Sequence, residues 1–83
     1  MKFILFSKDT CPFCVMAREL LEDLGLEHHV VNFEEDQFSV LDEIKAAYDW
    51  KTVPMILFKS GDLVEFIGGY TDLKERLEVG KED

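Results

Sequence analysis

Short apolar runs alternate with amphipathic stretches along the chain, and their order predicts its secondary structure. A nearly continuous apolar run over residues 2–6 is typical of a central strand that is covered on both faces. Residues 28–33 are predicted as a second strand. Two further runs, 53–58 and 63–67, are separated by the turn-forming residues 59–62, which predicts a β-hairpin with a four-residue loop.

The segments between these runs have the periodicity of helices. From about residue 15 to residue 24, three leucines and an alanine recur on one stripe, and Gly25 is a natural end for this helix. Ser39 and the acidic residues after it resemble a helix-start signature. We expect this second helix to end near Asp49.

The last segment and the composition complete the predicted domain. Thr71 and Asp72 can cap a final helix, so the element order is β-α-β-α-β-β-α, an α/β fold in which a parallel βαβ unit precedes an antiparallel hairpin. A chain of 83 residues, 47% hydrophobic and 33% charged, is typical of one small globular domain over residues 1–83. We expect disorder only in the tail, residues 80–83.

The net charge of −9 limits the classes of partner. Such a field repels phosphate, which argues against binding to nucleic acid or to an anionic membrane surface. No apolar stretch approaches the roughly 18 residues of a membrane span, and the N-terminus lacks the basic and long apolar regions of a signal peptide. The sequence therefore predicts a cytoplasmic protein, in which cysteines are more often catalytic or metal-binding than permanent crosslinks.

The only two cysteines flank Pro12 and Phe13, where the first strand meets the first helix. Residues three apart at a helix start face the same side, so the sulfurs of Cys11 and Cys14 can close a small disulfide ring. Pro12 suits the first helical turn, which makes Cys11 the expected N-cap at the positive end of the helix dipole. A thiolate is favoured there. We therefore assign Cys11 as the attacking thiol and the more protected Cys14 as the resolving thiol.

A Cys-X-X-Cys pair can also be half of a zinc site, but structural zinc usually has four protein ligands. The only other soft ligands are His28 and His29, which point to opposite faces if both lie on a strand. We therefore expect no metal site. The histidines are interpreted as one surface residue and one partly buried residue.

Four separated blocks of the sequence are characteristic in their order and spacing. They are Lys8 ahead of Cys11, the Cys11-Pro12-Phe13-Cys14 site, Thr52-Val53-Pro54, and Gly68-Gly69 followed by Tyr70-Thr71-Asp72. Together they resemble the glutaredoxins, small thioredoxin-fold enzymes that use glutathione, and the resemblance covers essentially the whole chain. The resemblance implies a thioredoxin-like fold with a four-stranded mixed sheet flanked by helices. Phe13 is a departure, since dithiol members most often carry Tyr there.

The resemblance also implies a glutathione site. In the family the proline of the Thr-Val-Pro block follows a cis peptide bond, and Pro54 would leave the Val53 backbone free to pair with glutathione. Lys8 and Lys51 match positions for the glycine carboxylate, while the start of the last helix and Asp72 match the γ-glutamyl end. The full predicted binding set is Lys8, Phe13 as an apolar wall, Lys51, Thr52, Val53, Pro54, Gly69, Tyr70, Thr71 and Asp72.

The implied activity is glutathione-dependent exchange on protein disulfides and protein-glutathione mixed disulfides, by a monomer with no tightly bound cofactor. Two alternatives stay open. One is a carrier of a [2Fe-2S] cluster bridged between two protomers, which Pro12 disfavours because such members often lack this proline. The other is a redoxin that thioredoxin reductase recharges and that donates electrons to ribonucleotide reductase; Lys8, Thr71 and Asp72 argue against it. Trp50 is interpreted as packing.

Overall fold

The structure, a computed structural model, describes residues 1–79 and contains the element order that the sequence predicts. The expected disorder of residues 80–83 lies outside the described part. No helix within residues 1–79 combines the length and apolar character needed to cross a membrane. The elements are β1 Lys2–Lys8, α1 Pro12–Asp23, β2 His28–Phe33, a 3₁₀ turn Glu35–Gln37, α2 Phe38–Ala47, β3 Met55–Ser60, β4 Leu63–Gly68 and α3 Tyr70–Val79.

The four strands form one mixed sheet in the order β2-β1-β3-β4. β1 pairs in parallel with β2, with Phe3 opposite His28. β3 runs antiparallel to both β1 and β4. The predicted α/β class and the mixed four-stranded sheet are therefore confirmed.

One face of the sheet packs against α1 and α3. Phe3 and Leu5 of β1 are buried there with Ala17 and Leu21 of α1 and Leu73 of α3. Leu21 is fully buried, and truncation of such a leucine to alanine costs about 2–5 kcal/mol. This packing fixes α1 against the strand that precedes it.

The opposite face packs against α2. Its buried residues are Phe33, Leu41 and Met55, and the partly buried Phe6 and Trp50 pack against them. β1 is thus covered on both faces, as its apolar run predicts.

Four predicted strand ends were wrong, including that of β4, which ends at Gly68 rather than Ile67. β1 continues to Lys8 rather than ending at Phe6, because its last two residues stay paired with β2. β3 begins at Met55 rather than Val53, since the preceding Pro54 has no N–H to donate to a ladder. The hairpin loop has two residues instead of four, because Ser60 remains paired with β4.

The predicted start of α2 at Ser39 was also wrong. The helix begins at Phe38, and the capping box lies earlier, at the 3₁₀ turn, where Gln37 Oε1 accepts the Glu34 N–H at 3.0 Å. α2 ends at Ala47, two residues before the expected Asp49. Ser39 is not needed as a side-chain cap, because the 3₁₀ turn leads directly into α2.

The prediction that Thr71 caps α3 was wrong. The helix begins at Tyr70, so Thr71 lies inside it. Asp72 does contribute: its Oδ2 accepts the Gly69 N–H at 2.9 Å. Gly68 has φ +128°, and a Cβ there would stand 2.5 Å from Asp72 Oδ2. Only glycine fits this close approach.

An ion pair holds α3 to β4. Arg76 donates to both carboxylate oxygens of Glu65 at 2.7 and 2.9 Å, and its guanidinium lies 5.5 Å from the centroid of the Phe58 ring. The hydrogen bonds from Arg76 lower the pKa of Glu65. The contact ties the outer strand to the helix whose first turn approaches the active site.

We expect Gly68→Ala to lower the free energy of unfolding by about 2–4 kcal/mol, because it adds a clash with Asp72 to a disfavoured backbone conformation. Urea unfolding measures the change. Gly25→Ala is the matched control: the φ of Gly25 is also positive, but no atom of the described residues lies within 4 Å of the added Cβ. It should cost only about 1 kcal/mol, and an equal loss in both variants would contradict the role of the contact with Asp72.

Candidate active site

The two cysteines lie at the start of α1, just beyond the carboxyl end of β1. Cys11 is the N-cap, with an extended backbone at φ −118° and ψ 97°, and Pro12 occupies the first helical position. The Cys11 and Cys14 Cα atoms are 5.2 Å apart, and their sulfurs lie at disulfide-bonding distance. The pair is therefore placed to cycle between a dithiol and a disulfide.

The two sulfurs differ in exposure and in electrostatic surroundings. Cys14 is only 6% exposed, whereas Cys11 is partly exposed. Cys11 Sγ accepts the Cys14 N–H at 3.2 Å, and no acidic side chain lies in the first turn of α1. A negative charge on Cys11 is therefore stabilised by a backbone donor and by the helix dipole.

The loop between α2 and β3 lies against Cys11. Its Sγ is 3.8 Å from the carbonyl oxygen of Val53, and the Val53–Pro54 peptide bond is cis, as the resemblance implies. Among residues 1–79 the Val53 N–H has no backbone hydrogen-bond partner. An extended peptide can therefore pair with this backbone beside the sulfur.

A cavity of about 370 Å³ lies beside the dithiol, and we call it the groove. Its lining includes every predicted binding residue except the two lysines. Phe13 is 56% exposed, and its ring centroid is 6.1 Å from that of Tyr70. The groove is lined by Phe13, Trp50, Thr52, Val53, Pro54, Gly69, Tyr70, Thr71 and Asp72.

Neither predicted lysine lines the groove. Lys8 Nζ lies over the Phe38 ring, 4.6 Å from its centroid, and Lys8 lines a different cavity onto which both cysteines open. Lys51 is exposed and lines a neighbouring depression. Among the described residues that line the groove, Asp72 is therefore the one with a formal charge at neutral pH.

Trp50 belongs to the groove lining, although the sequence interpretation treated it only as packing. The available signal was its position, since it immediately precedes Lys51 and the Thr-Val-Pro block. An apolar residue there is equally typical of a core residue, and Trp50 does pack against the core. Only the fold shows that the Trp50 side chain both packs against the core and lines the groove.

Within residues 1–79, no group of three or more His, Cys, Asp or Glu side chains is arranged to hold a metal ion. His28 is partly buried, with Nδ1 2.8 Å from the Leu26 carbonyl oxygen, and His29 is exposed. The interpretation of the two histidines is confirmed.

A dithiol at the carboxyl end of the first strand, beside a cis-proline loop in a four-stranded mixed sheet, defines a redox protein of thioredoxin-like fold. More closely, the chain belongs to the glutaredoxin family, whose family model matches residues 3–64. Glutaredoxin 1 of Escherichia coli is 32% identical over 89 residues, which cover 95% of this chain and 100% of that protein. Members of this family are thiol-disulfide oxidoreductases.

Other relatives match over part of their length. Mitochondrial glutaredoxin-2 of Bos taurus is 32% identical, and the match covers 94% of this chain and 48% of that protein. The chain therefore spans about half the length of such relatives. Among solved structures, a buckwheat glutaredoxin-glutathione complex is 26% identical with a TM-score of 0.79, covering 95% of this chain and 70% of that one.

We expect Cys11 to be alkylated with a midpoint below the ordinary thiol pKa of about 8.5, because the helix start stabilises its thiolate. The rate of iodoacetamide alkylation against pH, measured on Cys14→Ser, reports this midpoint. The same measurement on Cys11→Ser is the control and should give a higher midpoint for the buried Cys14. A Cys11 midpoint at 8.5 or above would contradict the assignment.

Proposed function

We propose that the protein is a glutathione-dependent oxidoreductase that reduces protein-glutathione mixed disulfides and protein disulfides. The proposal is carried by two features that meet beside the partly exposed Cys11. One is the groove, and the other is the Val53 N–H, which has no backbone hydrogen-bond partner among residues 1–79. The proposal assigns this activity to a monomer in the cytoplasm, where a glutathione pool is kept reduced.

The proposed first reaction needs only Cys11. Its thiolate attacks the glutathione sulfur of the mixed disulfide, and the protein thiolate leaves and takes up a proton. Glutathione is then joined to Cys11. A second glutathione, as its thiolate, attacks the glutathione sulfur of that bond, which gives glutathione disulfide and restores the Cys11 thiolate.

Protein disulfides need both cysteines. Cys11 attacks one sulfur of the target and releases the other as a thiol. Cys14 loses its proton and attacks Cys11, which releases the target as a dithiol and leaves the Cys11–Cys14 disulfide. Two glutathione molecules then reduce this bond and become glutathione disulfide. The 5.2 Å Cα separation supports ring closure without movement of the helix.

The proposed orientation of glutathione follows from the groove. Its cysteine backbone pairs with Val53, so its sulfur reaches Cys11. The γ-glutamyl end lies at the start of α3, where backbone N–H groups take its carboxylate and Asp72 takes its ammonium. Asp72 Oδ2 already accepts the Gly69 N–H, which leaves Oδ1 for the ligand. The glycine end then extends past Thr52 towards Lys51.

Replacing Cys11 and replacing Cys14 should have different effects on the two activities. Cys11→Ser should abolish both reactions, whereas Cys14→Ser should retain reduction of glutathione mixed disulfides and lose most of its activity on protein disulfides. A coupled assay with glutathione, glutathione reductase and NADPH measures both substrates. Loss of both activities in Cys14→Ser would contradict the proposed one-cysteine route.

Lys51→Glu should raise the KM for glutathione more than the roughly two- to fivefold expected for loss of one partly exposed ion pair, worth about 0.5–1 kcal/mol. Added salt should shrink the difference from the unmodified protein, and the alkylation midpoint of Cys11 should stay unchanged. Lys59→Glu is the charge-matched control, because Lys59 lies opposite Lys2 at the far end of the sheet. If neither Lys51→Glu nor Lys8→Glu alters KM, glutathione docks elsewhere or the reductant is thioredoxin reductase.

A further inference from the structure

The second cavity that borders the dithiol has no part in the proposed reaction. Its volume is about 320 Å³, and it is lined by Cys11 and Cys14 together with Ser7, Asp9 and Asn32. None of these five residues lines the groove. The dithiol therefore has a second opening, distinct from the groove, which we call the polar cavity.

The polar cavity gives access to the buried cysteine. Cys14 must lose a proton before it can attack Cys11, yet Cys14 is only 6% exposed. It lines the polar cavity and does not line the groove. A target protein joined to Cys11 would restrict access from the surface still further. The polar cavity is therefore the opening through which the thiol proton of Cys14 can reach solvent.

A chain of hydrogen bonds orders the polar groups in this cavity. Ser7, which is buried, donates from Oγ to Asn32 Oδ1 at 3.2 Å, and Asn32 Nδ2 donates to Asp9 Oδ1 at 3.0 Å. Ser7 and Asn32 lie opposite each other where β1 pairs with β2. The Asp9 carboxylate is thus held by one oxygen, which leaves Oδ2 for another partner.

The charges around the polar cavity leave this carboxylate available as a base. Asp9 is the one acidic residue among the described residues that line it, and the cations of the lining are Lys8 and Arg18. Both cations have other partners: Lys8 Nζ lies over the Phe38 ring, and Arg18 donates to Glu22 at 2.8 Å. Within residues 1–79, Asp9 forms no ion pair.

We propose that Asp9 accepts the proton of Cys14 when Cys14 releases a protein partner. Water in the polar cavity, which is several times larger than the roughly 30 Å³ of one water molecule, carries the proton from Cys14 Sγ to Asp9 Oδ2. The Cys14 thiolate attacks Cys11 Sγ, the bond between Cys11 and the partner breaks, and the partner leaves as a thiolate and takes up a proton. Asp9, which is exposed, returns its proton to solvent. This inference rests on the proposed reduction of protein disulfides.

Proton transfer and simple electrostatics make opposite predictions for loss of the Asp9 carboxylate. A negative charge near Cys14 disfavours its thiolate, so neutralising that charge should by itself speed the attack on Cys11. Loss of the proton acceptor should instead slow the attack. Asp9→Asn separates the two effects, because it keeps an oxygen to accept the Asn32 N–H and removes only the base.

The test follows a reporter protein with one accessible disulfide, mixed with a saturating excess of the reduced enzyme. Acid quenching and mass spectrometry give the rate at which the covalent complex releases the reporter. Asp9→Asn should lower this rate about tenfold, less than the hundredfold typical of general bases, because solvent replaces an exposed carboxylate in part. It should not slow reduction of a glutathione mixed disulfide, which needs only Cys11. Glu19→Gln is the control, because it removes an equal charge from an exposed position of α1 outside the polar cavity.

The alkylation midpoint of Cys14, measured on Cys11→Ser with and without Asp9→Asn, separates proton transfer from a structural disturbance. Slower release should occur with an unchanged or lower midpoint. Unchanged or faster release in Asp9→Asn, slower release with a raised midpoint, or an equal loss in Glu19→Gln would overturn the role of Asp9. Failure of the unmodified enzyme to release the reporter as a dithiol would instead overturn the proposed reduction of protein disulfides.

Discussion

β1 is hydrogen-bonded along both edges and packed on both faces, and this double confinement fixes where α1 begins. Phe3 and Leu5 hold α1 through Ala17 and Leu21, so the chain has only a short connection between the last paired residue of the strand and the first turn of the helix. The Cys11 sulfur receives its backbone donor because of that connection. The reactivity of a surface sulfur thus depends on apolar packing deep in the sheet.

Element types were predictable because burial imposes a period on the sequence. β2 was predicted with its observed bounds, His28–Phe33. β1 and β3 were misjudged at their ends because pairing, rather than hydrophobicity, decides where a strand stops. Ser7 is polar yet paired and buried, while Val53 is apolar yet lies before a proline in a loop.

Most of the groove was predictable for a related reason: its residues occur in short blocks whose local geometry places them together. The position of the Lys8 side chain was not predictable in this way. Its long side chain lets the ammonium reach neighbours from other elements, and here it lies over the Phe38 ring. Trp50 was missed because one large ring can contribute to a core and to a cavity wall at once. The sequence carries no sign of which of its surfaces faces solvent.

The unequal burial of the two sulfurs also sets an order of events in time. In the proposed reaction a protein partner meets Cys11 first, since Cys14 is only 6% exposed, and the covalent complex is then held by one disulfide bond. Closure of the ring by Cys14 is intramolecular, so its rate does not depend on the concentration of any solute. By contrast, the rate of release by an external thiol depends on the concentration of that thiol. Under the proposed function, attack by Cys14 therefore limits how long a protein partner stays attached, even where little external reductant is present.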